Sequence, residues 1–289
     1  EINKMWEKSN PNKATGPDHT TPYLFSIAPE PIKKILYEGI KRAWNEGVPK
    51  EWKKARLFLL PKKPNPEKPS DLRPIALLNA LYKTIAKILN KRLETILEEN
   101  SFFFEEQYGF RKNHQTHDHI FTAMNTLSTH PNTYHTYFDL NKAFNSVIHN
   151  KLWEILTHMN IPTPTLNLLK SKYRSKNKSI PWKPQMPNLS RRKRSTTRSP
   201  TLFSIYINPL LKLISSKLGT FQNTYFLAFA DDLLLISDNP TAHTTAIQTF
   251  LDCADLLSLS LNENKTVIQA LGNAPHLSLR IKNYKVSTD

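Results

Sequence analysis

The chain has 289 residues, is 39% hydrophobic, and carries 40 Lys and Arg against 24 Asp and Glu, a formal net charge of +16. That apolar content can fill one large domain or two closely packed ones, and the basic excess favours a polyanionic partner, nucleic acid before an acidic membrane surface. No apolar run approaches the ~18 residues that span a bilayer, no secretory signal pattern opens the chain, and the lone Cys253 excludes internal disulfides and cysteine-based zinc sites.

A reducing, intracellular setting is the expectation that follows. The chain opens at Glu1 rather than Met, which reads as a segment of something longer.

Residues 9–22 (SNPNKATGPDHTTP) are turn-rich and read as a surface loop. From Pro31 a helix is predicted, with Ile32, Ile35, Leu36, Ile40, Ala43 and Trp44 on one face and an end near Gly47. Trp52 to Leu60 reads as a strand, and the loop after it, PKKPNPEKPSDLRP, holds too many prolines to be helical. A long amphipathic helix follows, with Leu77, Leu81, Ile85, Ile88, Leu89, Leu93 and Ile96 inward. Residues 105–116 form a loop that feeds a helix through Ile120 and Leu127, and Thr133 to Phe138 is a β-branched, aromatic strand ending at Asp139.

Asn145 to Met159 is helical in pattern, and Lys170 to Arg198 is polar and very basic. LFSIYINPLLKLI reads as a helix kinked or interrupted at Pro209. Two short apolar runs, Tyr225–Ala230 and Leu233–Ile236, flank Asp231 and Asp232 and read as a tight hairpin with acids at its tip. A helix after Asn239-Pro240 and a β-like tail from Leu277 close the chain. Helices and hairpin strands are segregated without βαβ alternation, so the class is α+β.

An adjacent Asp pair is a turn or a metal site on local grounds. The wider distribution of acids separates the two. Between His119 and Ser237 the only carboxylates are Asp139, Glu154, Asp231 and Asp232, and from Ile155 to Ala230 there are none against 13 Lys and Arg. Three of these four lie at predicted strand ends. Nucleotide polymerisation needs such a set: a few oxygen ligands for two divalent ions ~3.5–4 Å apart, in basic surroundings that cradle template, primer and triphosphate.

FDLNKAFNSVIHNKL (138–152) and FADD (229–232) resemble the paired catalytic motifs of reverse transcriptases of non-LTR (LINE-type) retrotransposons. KATGPD (13–18), residues 59–93, EQYGFRKNHQTHDHI (106–120), SPTLFSIYINPLL (199–211) and LSLNENKTVI (259–268) stand in that family's order and spacing. The resemblance implies a right-hand polymerase fold, a palm with a small antiparallel sheet and helical fingers, the thumb largely absent. Fingers would lie mainly in 1–130 and about 160–200, palm mainly in 131–159 and 200–289.

The implied activity is RNA-directed DNA polymerisation with Mg2+ (two ions, Mn2+ as substitute), an RNA template, a DNA primer or target and deoxynucleoside triphosphates, with no membrane. A nuclear location is expected on the same ground.

By the same resemblance Asp139, Asp231 and Asp232 are the metal ligands. Leu140 passes its backbone along the triphosphate, and Phe144 excludes a ribose 2′-hydroxyl. Lys62 or Lys63, with Arg73, clasps the triphosphate, and Lys265 protonates the departing pyrophosphate. Gln107, Gly109, Phe110 and Arg111 shape the template path, while His149 reads as a helix-packing or capping residue. Taken alone, each acid also reads as a turn or cap residue, Phe144 as a core aromatic and the Lys pair as solvated surface.

Two departures stand out. Asn145 replaces the acid of KAFD, and Arg191 and Ser195 of RRKRSTTR (191–198) stand where the family has glycines. A Cβ there obstructs close backbone approach. Each change needs one G-to-A substitution given suitable codons, which suggests a divergent or decaying element copy. The competing reading is a weak or inactive relic that only binds RNA.

Overall fold

The computed structural model describes residues 1–173, 200–219, 221–281 and 284–287. The RRKRSTTR departure, with Arg191 and Ser195, lies outside the described residues, as does most of the basic stretch that leads to it. In chain order the elements are α1 (Ile2–Glu7), α2 (Pro22–Ser26), α3 (Glu30–Glu46), β1 (Ala55–Pro61), β2 (Leu72–Leu78), α4 (Ala80–Glu99), α5 (Thr116–Thr129), β3 (Tyr134–Phe138), α6 (Ala143–Ser146), α7 (His149–His158) and α8 (Thr163–Tyr173). Then follow α9 (Pro200–Leu218), β4 (Thr224–Phe229), β5 (Asp232–Ser237), α10 (Pro240–Leu256), β6 (Val267–Ala270), β7 (Ser278–Ile281) and β8 (Tyr284–Ser287).

The chain divides into two units, the boundary falling inside α4 between Leu93 and Glu94. The first holds Glu1–Leu93 and, of the described residues, Ile161–Tyr173. Its core is built on Trp6, which is fully buried, donates Nε1–H to Thr84 Oγ1 of α4 at 3.0 Å and stacks flat on Tyr37 of α3. Ile85, Ile88, Leu89 and Leu93 line the buried face of α4, as their spacing predicts. Ile32 and Ile35 of α3 are 48% and 68% exposed, so only the Ile40–Ala43 end of that apolar face is covered.

β1 and β2 form an antiparallel hairpin from Ala55↔Leu78 to Pro61↔Leu72. This corrects the predicted boundary, since Leu77 lies in β2 and not in the helix that starts at Ala80. The last three residues of the expected loop, Leu72 to Pro74, also lie in β2. In a two-stranded sheet both strands are edges, so a proline can turn its missing N–H outward without loss. The α4 N-terminus is capped from afar: Asp18 Oδ2 accepts from Ala80 N at 2.6 Å. Gly16 makes that approach possible, because a Cβ there would lie 2.4 Å from the Leu78 carbonyl oxygen.

The second unit holds a four-stranded antiparallel sheet in the order β4-β5-β3-β6. Phe138 of β3 packs on Phe250 of α10 at 4.5 Å and on Phe226 of β4 at 5.6 Å, so one sheet face is sealed by aromatic rings. α9 is one helix through Pro209, not two. Its first eight residues after Pro200 are all buried, and the packing that buries them outweighs the lost N–H at Pro209. Asn208 braces the segment, accepting from Phe104 N and donating to the Phe102 carbonyl. Residues 145–159 hold the end of α6 and all of α7, with a break at Val147–Ile148. No helix among the described residues is long and apolar enough to cross a membrane.

Candidate active site

The hairpin predicted at Asp231-Asp232 forms. β4 and β5 pair from Thr224↔Ser237 to Phe229↔Asp232, leaving Ala230 and Asp231 as a two-residue turn. Ala230 has φ +61°, at the first central position of the turn, where glycine is the preferred residue. Holding a Cβ in the left-handed region costs roughly 1–2 kcal/mol, so the turn is not self-sustaining.

β3 lies beside β5, and their last pair is Phe138↔Leu233. Asp139 follows Phe138 and Asp232 precedes Leu233, so the register carries these two acids to the same end of the sheet. The remote Asp139 thus comes to the hairpin because a one-residue slip would turn the buried Tyr134 and Phe138 of β3 out of the core.

Electrostatics records the convergence. Burial pushes the Asp231 carboxyl above the usual carboxylate range, its own backbone N–H opposes the shift, and the charges of Asp232 and Asp139 add to it. A buried carboxylate facing two further carboxylate charges suits a hard divalent cation, which would offset the repulsion. Among the described residues no three His, Cys, Asp or Glu side chains are closed around an ion as they stand. The fit is therefore one of donor chemistry and charge.

Asp139 is fixed by the segment 259–268. Asn262 donates its side-chain amide to Asp139 Oδ2 at 2.7 Å and its backbone N–H to the Asp139 carbonyl at 2.7 Å. Thr266 Oγ1 accepts from Asp139 N at 3.3 Å, and Lys265 Nζ stands 4.0 Å from Asp139 Oδ2. Lys265 is 70% exposed, so this is a weak, solvated ion pair and a mobile cation. Leu140 is buried and bridges Leu261, and Phe144 packs on Phe203 of α9 at 5.0 Å. Asn145 is exposed on α6, so the loss of an acid there removes no buried contact.

Gln107 is 0% exposed and presents no surface to a strand. Its Oε1 accepts from Ala230 N at 2.9 Å and Gly109 N at 3.0 Å. A Cβ on Gly109 would lie 2.2 Å from Ala230 N. Arg111 forks onto both oxygens of Glu98 at 2.9 Å and also donates to the carbonyls of Phe104, Glu105 and Gln107. These residues, expected along a template path, are turned toward the protein. Phe110 alone of the group is largely exposed, beside Phe229. His149 opens α7 and packs on Trp153.

The basic residues assigned to the triphosphate lie in the first unit. Lys63 Nζ pairs with Asp71 Oδ2 at 3.0 Å, Lys62 is exposed at the hairpin end with its N–H on the Asp71 carbonyl, and Arg73 is exposed on β2 opposite Leu60. Sequence reasoning missed Asn262 and Asp18 as holders of Asp139 and α4. The only signal for Asn262 is its place in the NENK block beside the lysine that was singled out.

The fold is that of a polymerase palm and fingers. Over 89% of this chain and 58% of the other, it aligns with apo telomerase from Candida tropicalis at a TM-score of 0.55 and 14% identity. Residues 60–281 match the family described as "Reverse transcriptase (RNA-dependent DNA polymerase)", and the chain belongs to that family. It is 30% identical over 230 residues to the Pol polyprotein of the type-1 retrotransposable element R2 of Popillia japonica, covering 75% of this chain and 32% of the relative. To that of the type-2 element R2DM of Drosophila melanogaster it is 24% identical over 276 residues, covering 91% and 25%. The chain therefore spans a quarter to a third of these relatives' lengths.

Proposed function

We propose that this chain is the RNA-directed DNA polymerase core of a non-LTR retrotransposon, adding deoxynucleotides to a primer 3′-end along an RNA template and releasing pyrophosphate. The observation that carries the reading is the meeting of Asp139 with the Asp231-Asp232 turn at one end of the β4-β5-β3-β6 sheet. The second unit is taken as the main body of the palm and the first as fingers.

Polymerases of this family use divalent metal ions. Asp139, Asp231 and Asp232 are the residues that would hold two Mg2+ ions (or Mn2+). Such ions supply Lewis acidity at the α-phosphate and lower the proton affinity of the primer hydroxyl. The protein's own part is positional and electrostatic. Asn262 orients Asp139, so its carboxylate does not have to be ordered when substrate arrives. Lys62 or Lys63 and Arg73 neutralise the triphosphate, Lys63 being paired with Asp71 at 3.0 Å. Leu140 passes its backbone along the triphosphate, and Phe144, backed by Phe203, lies under the incoming sugar. Lys265, exposed and close to Asp139, delivers a proton to the leaving pyrophosphate. With a net charge of +16, binding to RNA and primer is expected to weaken steeply with salt, and the family likeness suggests a nuclear site of action.

The test is primer extension on an RNA template with Mg2+ and deoxynucleotides, set against Asp231→Ala/Asp232→Ala. Extension by the parent chain and none by the variant supports the reading. No extension by either, with salt-sensitive RNA binding intact in both, would instead make the chain a binding relic.

A further inference from the structure

We propose that Gln107 is a positioning residue for the carboxylate hairpin: with the bare backbone of Gly109, its side-chain oxygen holds the Ala230–Asp231 turn in the conformation that presents Asp231 and Asp232 beside Asp139. The proposal rests on the metal role assigned to those acids above.

Four observations converge on it. In a two-residue hairpin the N–H of the first turn residue takes no part in the ladder. Here that residue is Ala230, 2% exposed, and an N–H buried so deeply must find a partner within the protein. Gln107 Oε1 is that partner, and the same oxygen also takes the Gly109 N–H, which locks the amide plane from two sides.

The backbone around Gln107 is itself stitched to the hairpin. Tyr108 N donates to the Ala228 carbonyl at 2.9 Å and Ala228 N to the Glu106 carbonyl at 3.0 Å, so residues 106–108 run parallel to β4 as an added edge. Gly109 then presses on the turn, where any Cβ would collide with Ala230 N and with Phe229 and Ala230 carbon atoms.

The third observation is Ala230 itself. Its φ of +61° is strained for a residue with a Cβ, so something outside the turn must hold it. The fourth is the other end of the Gln107 amide. Nε2 is buried and has no hydrogen-bond partner among the described residues. A Met or Leu would fill the same space without an orphaned donor, so the side chain makes sense here for its oxygen alone. A residue 123 positions away in sequence thus shapes the turn that carries two of the three acids.

Three variants of the full chain test this by two readouts that need no turnover: hydrogen exchange at Ala230–Asp232, and Mn2+ affinity by calorimetry. Gln107→Met removes the acceptor at near-constant volume. The expected result is at least tenfold faster exchange at the tip with Tyr134–Phe138 unchanged, and at least tenfold weaker Mn2+ binding. Template–primer affinity should stay within about twofold, so that lost extension falls on kcat rather than KM. Gln107→Glu keeps an accepting oxygen at the same place and should restore tip protection. Ala230→Gly in the Gln107→Met background removes the strain and should return Mn2+ affinity to within about threefold of the parent.

Parental Mn2+ affinity in a Gln107→Met chain whose tip has lost protection would overturn the proposal, as would exchange that rises uniformly across the sheet. If Gln107→Met does not fold, the double variant decides: folded and Mn2+-binding supports the proposal, and unfolded assigns Gln107 to the core alone and overturns it. Failure of the metal reading has its own signature. Parental Mn2+ binding would then be unaffected by Asp231→Asn/Asp232→Asn, while the exchange experiment would still report on the Gln107–Ala230 bond.

Discussion

Gln107 Oε1 and Ala230 N lie 2.9 Å apart, across 123 residues of sequence, and their hydrogen bond is the contact that ties the EQYGFR segment to the tip of the β4–β5 hairpin. Gly109 completes the contact by leaving room for Ala230 N. Gly109→Ala places a methyl 2.2 Å from that nitrogen, so the hairpin or the 106–109 segment must move. Overpacking of this kind costs ~1–3 kcal/mol. Urea denaturation should show a loss in that range, and Mn2+ affinity should fall with it. An unchanged midpoint would mean that the two segments give way without strain.

Asn262 is expected to matter more than its neighbour Lys265 for metal binding. Its amide holds one carboxylate oxygen of Asp139, and a hydrogen bond to a charged group is worth ~1.5–3 kcal/mol. Asn262→Leu should therefore raise the Mg2+ concentration for half-maximal extension by roughly tenfold or more. Lys265→Ala should leave that concentration near the parent value while lowering kcat. A titration of extension rate against Mg2+ for both variants separates the two roles.

Asp18 is far from the acids in sequence and caps the other unit. Asp18→Ala removes the acceptor for Ala80 N at the start of α4. Loss of a helix cap costs ~1 kcal/mol, up to ~2 where the carboxylate is well buried. The expected outcome is a lower Tm with unchanged carboxylate-dependent Mn2+ binding. A change in metal affinity without one in Tm would contradict the assignment.

His243 gives the chain a pH-dependent stability that has nothing to do with catalysis. It is fully buried behind the sheet, bonded through Nε2 to Thr136 Oγ1 at 2.7 Å, and burial, helped by the charge of His135, pushes its pKa down to about 3. A depressed imidazole is neutral in the folded chain, whereas the unfolded chain takes up a proton near pH 6.5. Stability is therefore full above ~6.5 and drains as pH falls toward 3. Between pH 7 and 5 the loss from this residue is about 2 kcal/mol. His243→Gln should flatten the slope of unfolding free energy against pH across that interval. An equal slope in parent and variant would place the acid sensitivity elsewhere, His135 being the next candidate.

The elements legible in the sequence were those whose period is long or whose punctuation is local. α10 with Asn239 accepting from Thr241 and Ala242, and the Asp231-Asp232 hairpin, fall where the pattern put them, and α4 does so apart from its start, which lies beyond Leu77 at Ala80. β2 did not, because its residues were divided between the Pro-rich loop that ends at Pro74 and the apolar face of the following helix, and its partner strand is not marked by any local pattern. The α3 face was overread: apolar spacing marks Ile32 and Ile35 as core, but nothing in their unit covers them. The site divided in the same way. Predicted strand ends placed Asp139 and the Asp231-Asp232 pair where β3 ends and the β4–β5 turn lies. The inward roles of Gln107, Asn262 and Asp18 depend on contacts over 62 to 123 positions, which no local pattern encodes.

The central claim is that Asp139, Asp231 and Asp232 act as one centre. Single-turnover incorporation of one deoxynucleotide on an RNA template tests it, with Asp139→Asn, Asp231→Asn and the double variant at saturating Mg2+. Residues that hold one metal centre fail together, so each single change should lower the rate by about 10³-fold or more, and the double should lower it little further. If either single variant stays within tenfold of the parent, or the two losses multiply, the carboxylates do not form a common site.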